Sequence, residues 1–494
     1  MRKLNAETQT GNSNNVIFAT VLAVISLFHL LTIGPPAQRW GDPAQYIHHA
    51  KNIAEGLPYT QTDHIISPYD LMLAPEGYPI GLPVLLAPVY RLFGLNLIAF
   101  KLEIWLFLSI LFVLLFFRFR DELPDVLLFI SLVLFTLNPW LIEFKQAILS
   151  DIPFSAFVYG VSLFIASRQY KDNFWAAILI AVLFFCAYLM RAVGIVLAPA
   201  FLIYDLWSRK SLSLRTLVIP LVTGALIILS SLILPVNSAF DDMIHSWTPK
   251  IVVRNLIHYN HILRSFWPDT PQFPQIREVL YLSLNTFTFF GLVWKYFRGF
   301  SFLDFFGFLY CAVILCWPSK MGIRALLPVL PLYLLYILLG GKYFLQKIIR
   351  KTSAKFALSL SLGAIAFFSY IVGLSAVLED VNTIPDGPQV DEAVQLFAYI
   401  RENTSKDSVF AFRKPRSLAL FAERKATDHP AHLRGSVVIS YFDEINVDYV
   451  IVDRESDKDQ MQIRPFINEQ QYQEVFGNER FLMYQVDSKD GDNK

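Results

Sequence analysis

Long apolar runs, separated by short polar and charged segments, occupy most of the chain up to residue 378. Each run is long enough, or nearly long enough, to form an α-helix that crosses a bilayer. About eleven such helices are predicted, over residues 16–34, 97–117, 126–142, 152–167, 174–190, 193–207, 214–235, 279–294, 302–317, 323–340 and 356–378. The pattern therefore predicts a polytopic α-helical membrane protein.

Two stretches depart from a simple series of spans. Residues 174–207 are too long for one crossing and are interrupted by Arg191 and Gly194, which predicts two helices joined by a tight turn. Residues 79–94 are apolar but short and rich in proline, which favours an interfacial or re-entrant helix.

The basic residues of the short loops predict the orientation. With residues 1–15 in the cytoplasm, every second loop is cytoplasmic and carries lysine or arginine, as the positive-inside rule requires. The residues concerned are Arg118, Arg120, Arg168, Lys171, Arg209, Lys210, Arg215, Lys295, Arg298, Lys342, Lys347, Arg350, Lys351 and Lys355. An odd number of spans then places the C-terminus outside.

Three sizeable segments accumulate on the outer side: loops 35–78 and 236–278, and everything after residue 378. The C-terminal segment is more charged than the rest. It alternates helix-like stretches (390–402, 415–424 and 463–476) with strand-like ones (409–412, 449–453 and 481–486). The predicted organisation is a cytoplasmic N-terminus over residues 1–15, a transmembrane domain over residues 16–378, and a small extracytoplasmic α/β domain over residues 379–494.

The amino-acid composition also favours a membrane protein and argues against several functions. Of the 494 residues, 54% are hydrophobic and 15% aromatic, outside the range of soluble globular domains. The net charge of +1 argues against a nucleic-acid partner, because it supplies no excess of cations for phosphates. All three cysteines fall inside apolar runs, which favours a packing role over a disulfide framework or a zinc site.

A polar segment directly after the first apolar run is the strongest candidate for chemistry. It predicts a helix opened by Asp42 and Pro43, with Tyr46 and His49 on the same stripe as the carboxylate. Asp151 is a second acidic residue, predicted at the outer end of a helix pair. The alternative for both residues is a simple helix N-cap.

Basic candidates at the same level are Lys145, Arg191 and Arg324, for which the alternative is snorkelling toward lipid headgroups. Tyr78 is a further candidate, and its alternative role is in an aromatic belt at the membrane interface.

A divalent metal is a less favoured hypothesis, since no recognised metal-binding motif is present. The residues that suggest it are His48, His49, His245, His258, His261, Asp241 and Asp242.

Several motifs resemble those of bacterial GT-C superfamily glycosyltransferases, including protein O-mannosyltransferase-like enzymes and lipid A aminoarabinose transferases. They are Gly41-Asp42-x-x-x-Tyr46, Ala54-x-Gly56, Pro75-x-Gly77-Tyr78-Pro79, Leu149-Ser150-Asp151-x-Pro153-Phe154, Arg191-x-x-Gly194 and, more weakly, a Lys414-Pro415-Arg416 turn. The likeness covers the first two hundred residues best, and it implies that residues 16–378 form a GT-C-like transmembrane catalytic domain.

The resemblance implies a polyprenyl-phosphate-linked sugar donor and an essential acid in the first outer loop, which corresponds to Asp42. Such a transfer needs a base for the acceptor hydroxyl and cations for the departing phosphate. A single carboxylate as base favours inversion. Asp42 and Asp151 are therefore the candidate catalytic residues, and the candidate substrate-binding residues are Arg191, Arg324, Lys145, Tyr46, Tyr78 and Glu76.

The acceptor stays open between a lipid, a glycan and a protein. Protein mannosyltransferases carry an Asp-Glu pair where this chain has Asp42-Pro43, and aminoarabinose transferases carry a lysine that Pro75-Glu76-Gly77 lacks. The predicted location is the inner (plasma) membrane. The rival hypothesis is a secondary transporter or a lipid-linked glycan flippase, which needs ionisable residues near the bilayer midplane. Here most ionisable residues fall at the ends of the spans.

Overall fold

The computed structural model describes residues 2–69, 77–167, 173–210, 214–233, 247–267, 274–347, 352–429 and 435–486. The chain forms two compact units. The first unit comprises Met1–Gly34, Lys101–Leu234 and Ser238–Asn382. The second unit comprises Pro35–Phe100, Pro235–Asn237 and Thr383–Lys494.

Helices dominate the described residues. In chain order they are α1 (Arg2–Leu31), α2 (Asp42–Glu55), α3 (Gly81–Phe93), α4 (Leu97–Phe119), α5 (Asp125–Thr136), α6 (Pro139–Phe144), α7 (Asp151–Ala166), α8 (Phe174–Met190), α9 (Leu197–Arg209), α10 (Leu214–Ile233), α11 (Pro249–Arg264), α12 (Pro274–Arg298), α13 (Phe302–Cys316), α14 (Leu330–Lys347), α15 (Thr352–Asp380), α16 (Asp391–Asn403), α17 (Pro415–Ala422), α18 (Gly435–Ile445) and α19 (Arg464–Gln470). Short 3₁₀ turns cover Ala192–Val196 and Ile323–Leu326, and a π turn covers Asp459–Ile463.

Two helices in the described part of the chain are long and apolar enough to cross a membrane, over Leu97–Phe119 and Thr216–Ile233. Several shorter helices are also apolar. Along α10 the large apolar side chains Leu221, Ile228 and Leu232 are exposed. A helix that shows such side chains to its surroundings suits a lipid environment better than water. The predicted count of eleven spans stays a prediction.

The predicted break within residues 174–207 is confirmed. Helix α8 ends at Met190, and Arg191 is extended with φ −151° and ψ 130°. The single helix predicted over 126–142 is wrong, because α5 ends at Thr136 and α6 restarts at Pro139. Proline disfavours a helical residue before it, so Asn138 leaves the helix and caps α6 through Trp140 N.

A buried ionic cluster joins three helices of the first unit. Lys295 lies 2.8 Å from Glu122 and 3.3 Å from Asp304, and Arg118 lies 2.6 Å from Glu122. Asp304 also accepts a hydrogen bond of 2.6 Å from the Tyr336 hydroxyl. Two cations and two anions balance, which offsets the cost of burying them. The cluster ties α4, α12 and α13 together.

A six-stranded sheet forms the core of the second unit, in the order β1-β3-β2-β4-β6-β5. Its strands are β1 (His64–Ile65), β2 (Val409–Ala411), β3 (Lys425–Thr427), β4 (Tyr449–Asp453), β5 (Gln473–Gly477) and β6 (Phe481–Gln485). The first four strands in this order are parallel to one another; β6 pairs antiparallel with β4, and β5 pairs antiparallel with β6.

Alternate residues of the central strands point to opposite faces of the sheet, as the strand period requires. Val450 and Val452 of β4 pack in one apolar cluster with Phe442 of α18, whereas Ile451 packs in the other with Leu396 of α16. The alternation of helices and strands predicted for the tail is present. The single helix predicted over 463–476 is wrong, because α19 ends at Gln470 and β5 follows.

Candidate functional site

The start of α2 positions the first candidate carboxylate. Gly41 occupies the N-cap with φ 102°, in the left-handed region that favours glycine. Asp42 is the first helical residue, and Pro43 follows it inside the first turn, where no intrahelical N–H is needed. The N-cap alternative for Asp42 is therefore wrong, since Gly41 takes that position.

The Asp42 carboxylate contacts two side chains of the same unit that are distant in sequence. The Tyr78 hydroxyl donates a hydrogen bond of 2.9 Å to Asp42 Oδ1. Arg416 Nη1 lies 3.2 Å from the same oxygen and 2.8 Å from the Tyr78 hydroxyl. The guanidinium also lies over the Tyr78 ring, 5.5 Å from its centroid. These three residues form a compact charged triad.

The triad combines buried donors with an accessible acceptor. The Arg416 side chain is 9% exposed and Tyr78 is buried, whereas the Asp42 side chain is 29% exposed. Burial, reinforced by the Asp42 charge, raises the pKa of Tyr78 well above its usual value, so its hydroxyl remains a neutral donor. A carboxylate held in this way can meet a substrate hydroxyl.

His49 contacts the loop that follows α2 and carries Tyr59 and Tyr78. Its Nε2 accepts a 3.3 Å hydrogen bond from Tyr78 N, and its Nδ1 donates to the Tyr59 carbonyl at 2.8 Å. The Tyr59 ring stacks on His49 with centroids 4.2 Å apart, and its hydroxyl donates to the Tyr78 carbonyl at 2.6 Å. Burial lowers the pKa of His49 to about 4, so the imidazole is neutral at physiological pH and can accept the Tyr78 bond.

Tyr46 and Glu76 are the remaining candidate substrate-binding residues between positions 35 and 78. The Tyr46 ring lies edge-on to Tyr78, with centroids 4.8 Å apart, and is buried. Tyr46 thus supports a member of the triad from within α2. Glu76 lies outside the described residues.

Arg416 is not among the predicted site residues, although it belongs to the Lys414-Pro415-Arg416 turn of the family resemblance. It lies in the first turn of α17, which follows β2 of the sheet. Helices that follow parallel strands begin at the carboxyl edge of the sheet, where ligands of α/β folds bind. Strand β1 pairs with β3 in the same sheet and belongs to the loop that carries Tyr78.

The first unit carries the second acidic candidate. Asp151 is the first residue of α7, and Arg191 Nη1 lies 2.5 Å from its Oδ1. Ser150 takes the N-cap position, so the N-cap alternative is wrong for Asp151 too. Its Oδ2 is buried and makes no hydrogen bond to the residues that the structure describes. Two predicted site residues are thereby brought into one ion pair.

The other basic candidates of this unit have different surroundings. Lys145 is buried, and its ammonium donates to the His29 carbonyl at 2.6 Å and to the Thr32 hydroxyl near the end of α1. Arg324 lies partly exposed in the 3₁₀ turn Ile323–Leu326. A role for either residue in substrate binding stays a prediction.

No group of three or more His, Cys, Asp or Glu side chains in the described ranges is arranged to hold a metal ion. Asp241, Asp242 and His245 lie outside those ranges. His258 contacts the Met321 carbonyl through Nε2 at 2.8 Å. The metal hypothesis therefore gains no support from the described histidines.

Gly194 explains the spacing of the Arg191-x-x-Gly194 motif. A Cβ added there would lie 2.7 Å from Tyr188 N and 2.8 Å from the Ala187 carbonyl. We expect Gly194→Ala to force the turn away from the end of α8 and to lower the free energy of unfolding by about 1–3 kcal/mol. Thermal unfolding in detergent measures the loss.

Gly224 provides the control for this prediction. A Cβ added at Gly224, within α10, meets no described atom within 4 Å. Gly224→Ala is therefore expected to leave the melting temperature unchanged or slightly raised, since alanine favours helix. Equal melting temperatures for Gly194→Ala and wild type would contradict the close packing at the turn.

Comparisons with known proteins bear on the fold. No protein-family model matches the chain, and no curated protein matches it in sequence. ArnT from Cupriavidus metallidurans, solved with bound undecaprenyl phosphate, matches with a TM-score of 0.56 at 13% identity, over 95% of this chain and 97% of that chain. Its apo structure matches with a TM-score of 0.55 at 14% identity, over 96% of this chain and 98% of that chain.

A second solved structure shares the fold. The archaeal oligosaccharyltransferase AglB from Archaeoglobus fulgidus, solved with an inhibitory peptide and a dolichol-phosphate, matches with a TM-score of 0.57 at 12% identity. The alignment covers 88% of this chain and 69% of that chain. The chain therefore shares its mostly helical fold with these two solved proteins, and the resemblance predicted from its motifs is confirmed at the level of the fold.

Proposed function

We propose that the protein is a membrane glycosyltransferase, which transfers a sugar from a polyprenyl-phosphate-linked donor to an acceptor hydroxyl on the extracytoplasmic side. The observation that carries the proposal is the accessible Asp42 carboxylate held by buried Arg416 and Tyr78. Support comes from the fold, since two solved neighbours of the same architecture bind undecaprenyl phosphate or dolichol-phosphate.

Asp42 is the proposed general base. Its carboxylate removes the proton of the acceptor hydroxyl while the oxygen attacks the anomeric carbon of the donor sugar. The bond between that carbon and the phosphate oxygen breaks, and polyprenyl phosphate leaves with the electron pair. Attack opposite the leaving group inverts the anomeric configuration. Asp42 then holds the proton, which is lost to water before the next turnover.

Departing phosphate carries negative charge, so cations at its site stabilise the transition state. We propose Arg191 as the main phosphate ligand, because a guanidinium donates two parallel hydrogen bonds to phosphate oxygens. Its ion pair with Asp151 fixes the side chain beforehand, which assigns Asp151 an orienting role. Arg324, Lys145 and Glu76 stay proposed contributors to substrate binding.

Arg191 variants separate charge from geometry. Arg191→Ala is expected to weaken donor binding more than Arg191→Lys, because lysine retains the charge and loses only the planar fork. Titration of a polyprenyl-phosphate analogue into each purified variant measures the two dissociation constants. Equal donor affinities for both variants would remove Arg191 from phosphate binding and favour Arg324 instead.

We also propose the topology given by the charged loops: N-terminus inside, residues 379–494 outside, in the inner (plasma) membrane. The Ser405→Cys variant is expected to react with a membrane-impermeant thiol reagent in intact cells. The Ser353→Cys variant is expected to react only after permeabilisation, because Ser353 lies next to the basic loop after α14, which the positive-inside rule places in the cytoplasm. Labelling of the Ser405 variant solely after permeabilisation would overturn this topology.

The proposed function is tested by sugar transfer in lipid vesicles. Purified protein, a polyprenyl-phosphate sugar and a panel of lipid, glycan and peptide acceptors are combined, and free polyprenyl phosphate is measured. The expected result is release that depends on one acceptor class. Absence of release with every donor and acceptor, from folded protein, would count against a transferase.

A further inference from the structure

We propose that Arg416 is a positioning residue for the reaction: it holds the Asp42 carboxylate in one rotamer and keeps it ionised for proton transfer. This inference rests on the proposed function, in which Asp42 is the general base. It adds a residue that lies 374 positions from Asp42 in the sequence and belongs to the C-terminal part of the chain.

The contacts define how Arg416 acts. A single nitrogen, Nη1, lies 3.2 Å from Asp42 Oδ1 and 2.8 Å from the Tyr78 hydroxyl. Tyr78 donates its own proton to the same Oδ1 at 2.9 Å. Two donors from different segments therefore converge on one oxygen of the carboxylate. Such a carboxylate has little freedom to rotate, which is what a base needs in order to meet a bound hydroxyl.

Arg416 itself has little freedom to move. Its side chain is largely buried, and the guanidinium lies over the Tyr78 ring. Helix α17, which carries Arg416, packs against α2, which carries Asp42. A second ion pair joins the same two helices, since Lys51 Nζ lies 3.5 Å from Glu423 just after the end of α17. The packing of the two helices and the largely buried Arg416–Asp42 pair hold Arg416 in place.

The charge on Asp42 depends on its neighbours. Among the residues that the structure describes, the titratable groups close to Asp42 or to its partners Tyr78 and Arg416 include Tyr46 and His49 on α2 and His64 on β1. Burial, together with the nearby Arg416 charge, lowers the pKa of His49 to about 4 and that of His64 to about 3. These histidines are therefore neutral at physiological pH.

Tyr46 and Tyr78 also carry no positive charge, so among these groups Arg416 is the cation that favours ionised Asp42. Removing it is expected to make the carboxylate take up its proton at a higher pH. A base that is protonated cannot accept the acceptor's proton. The charge of Arg416 therefore extends activity toward lower pH.

The test compares Arg416→Met and Arg416→Lys with a matched control, Arg454→Met. Arg454 is an exposed arginine of the same unit, directly after β4. For each folded protein, kcat, KM for the donor and the pH dependence of the rate are measured in vesicles, and thermal unfolding is followed on the same samples. The donor probe is a polyprenyl-phosphate sugar on which the wild-type protein is active.

Arg416→Met is expected to lower kcat by about 10- to 100-fold through misplacement of the base, with donor KM near the wild-type value. The acidic limb of its pH profile is expected to move to higher pH, because the Asp42 carboxylate loses its cationic partner. Arg416→Lys is expected to restore the position of the limb and part of kcat, since it keeps the charge but loses the fork. Arg454→Met is expected to match wild type.

Three outcomes would overturn the inference. A raised donor KM with unchanged kcat and pH limb would make Arg416 a donor ligand instead. Equal losses of folded protein in Arg416→Met and Arg416→Lys that account for all lost activity would make it structural. If the acidic limb of the pH profile did not move in Arg416→Met while Asp42→Asn was inactive, Arg416 would not be the positioning residue, but Asp42 would still be the general base. An active Asp42→Asn protein would instead remove the proposed base itself.

Discussion

Asp42→Asn is expected to reduce sugar transfer by about two to four orders of magnitude, the usual contribution of general acid-base catalysis. Asparagine preserves the size of the side chain, and its carbonyl oxygen can still accept hydrogen bonds from Tyr78 and Arg416. The amide cannot take a proton from the acceptor. Because Gly41 provides the N-cap, α2 keeps its start, and the melting temperature is expected to stay near that of wild type.

Asp391→Asn is a matched control for this experiment. Asp391 is also the first residue of a helix in the second unit, α16, and is exposed there. Its replacement is expected to leave both transfer and stability unchanged. If Asp42→Asn transferred sugar as fast as Asp391→Asn, Asp42 would have only a structural role.

Asp304→Ala is expected to produce the largest loss of stability in the first unit. Asp304 is fully buried and accepts hydrogen bonds from Tyr336, from Ser301 N and from the Ser301 hydroxyl, besides its ion pair with Lys295. Its removal leaves two cations facing one anion in a buried site. Breaking a buried pair in this way costs about 3–5 kcal/mol. Thermal unfolding in detergent is the measurement.

Asp121→Ala serves as the control for Asp304→Ala. Its side chain is 89% exposed and lies 3.8 Å from Arg120, a surface pair that contributes little. The melting temperature of the Asp121→Ala variant is expected to equal that of wild type, and the melting temperature of the Asp304→Ala variant is expected to be well below both. Coincident melting of all three proteins would show that the buried cluster does not stabilise α4, α12 and α13.

Several features of the fold followed directly from local pattern. The break at Arg191 was predictable because an arginine and a glycine interrupt a run too long for one span, and α8 ends there. The helix that begins at Asp42 was predictable from Asp-Pro chemistry. The break at Asn138 was missed, since apolar character continues across it while the Asn-Pro step ends the helix.

The residues around Asp42 were only partly predictable. Tyr78 was identified from a motif, but its hydrogen bond to Asp42 depends on how the loop folds back over His49. Arg416 was missed because it reaches Asp42 through the packing of α17 on α2, which no local pattern records. Strand β1 has two residues, too few to show an alternating pattern.

For the second acidic candidate, too, the sequence predicted the residues but not their contacts. Asp151 and Arg191 were each predicted separately from motifs, while their 2.5 Å ion pair depends on the packing of α7 against α8. Lys145 was predicted from its position at the end of a span. Its contacts with the end of α1 arise from long-range packing that sequence spacing does not specify.

The fate of the donor in sealed vesicles tests the central claim most directly. A polyprenyl-phosphate sugar, labelled in the sugar, is placed with the purified protein and the panel of lipid, glycan and peptide acceptors, and both the label and the free polyprenyl phosphate are followed. The account predicts that label leaves the donor and appears in an acceptor with inverted anomeric configuration, one free polyprenyl phosphate per sugar. Donor that crosses the bilayer intact, with no free polyprenyl phosphate, would contradict the account and identify a flippase.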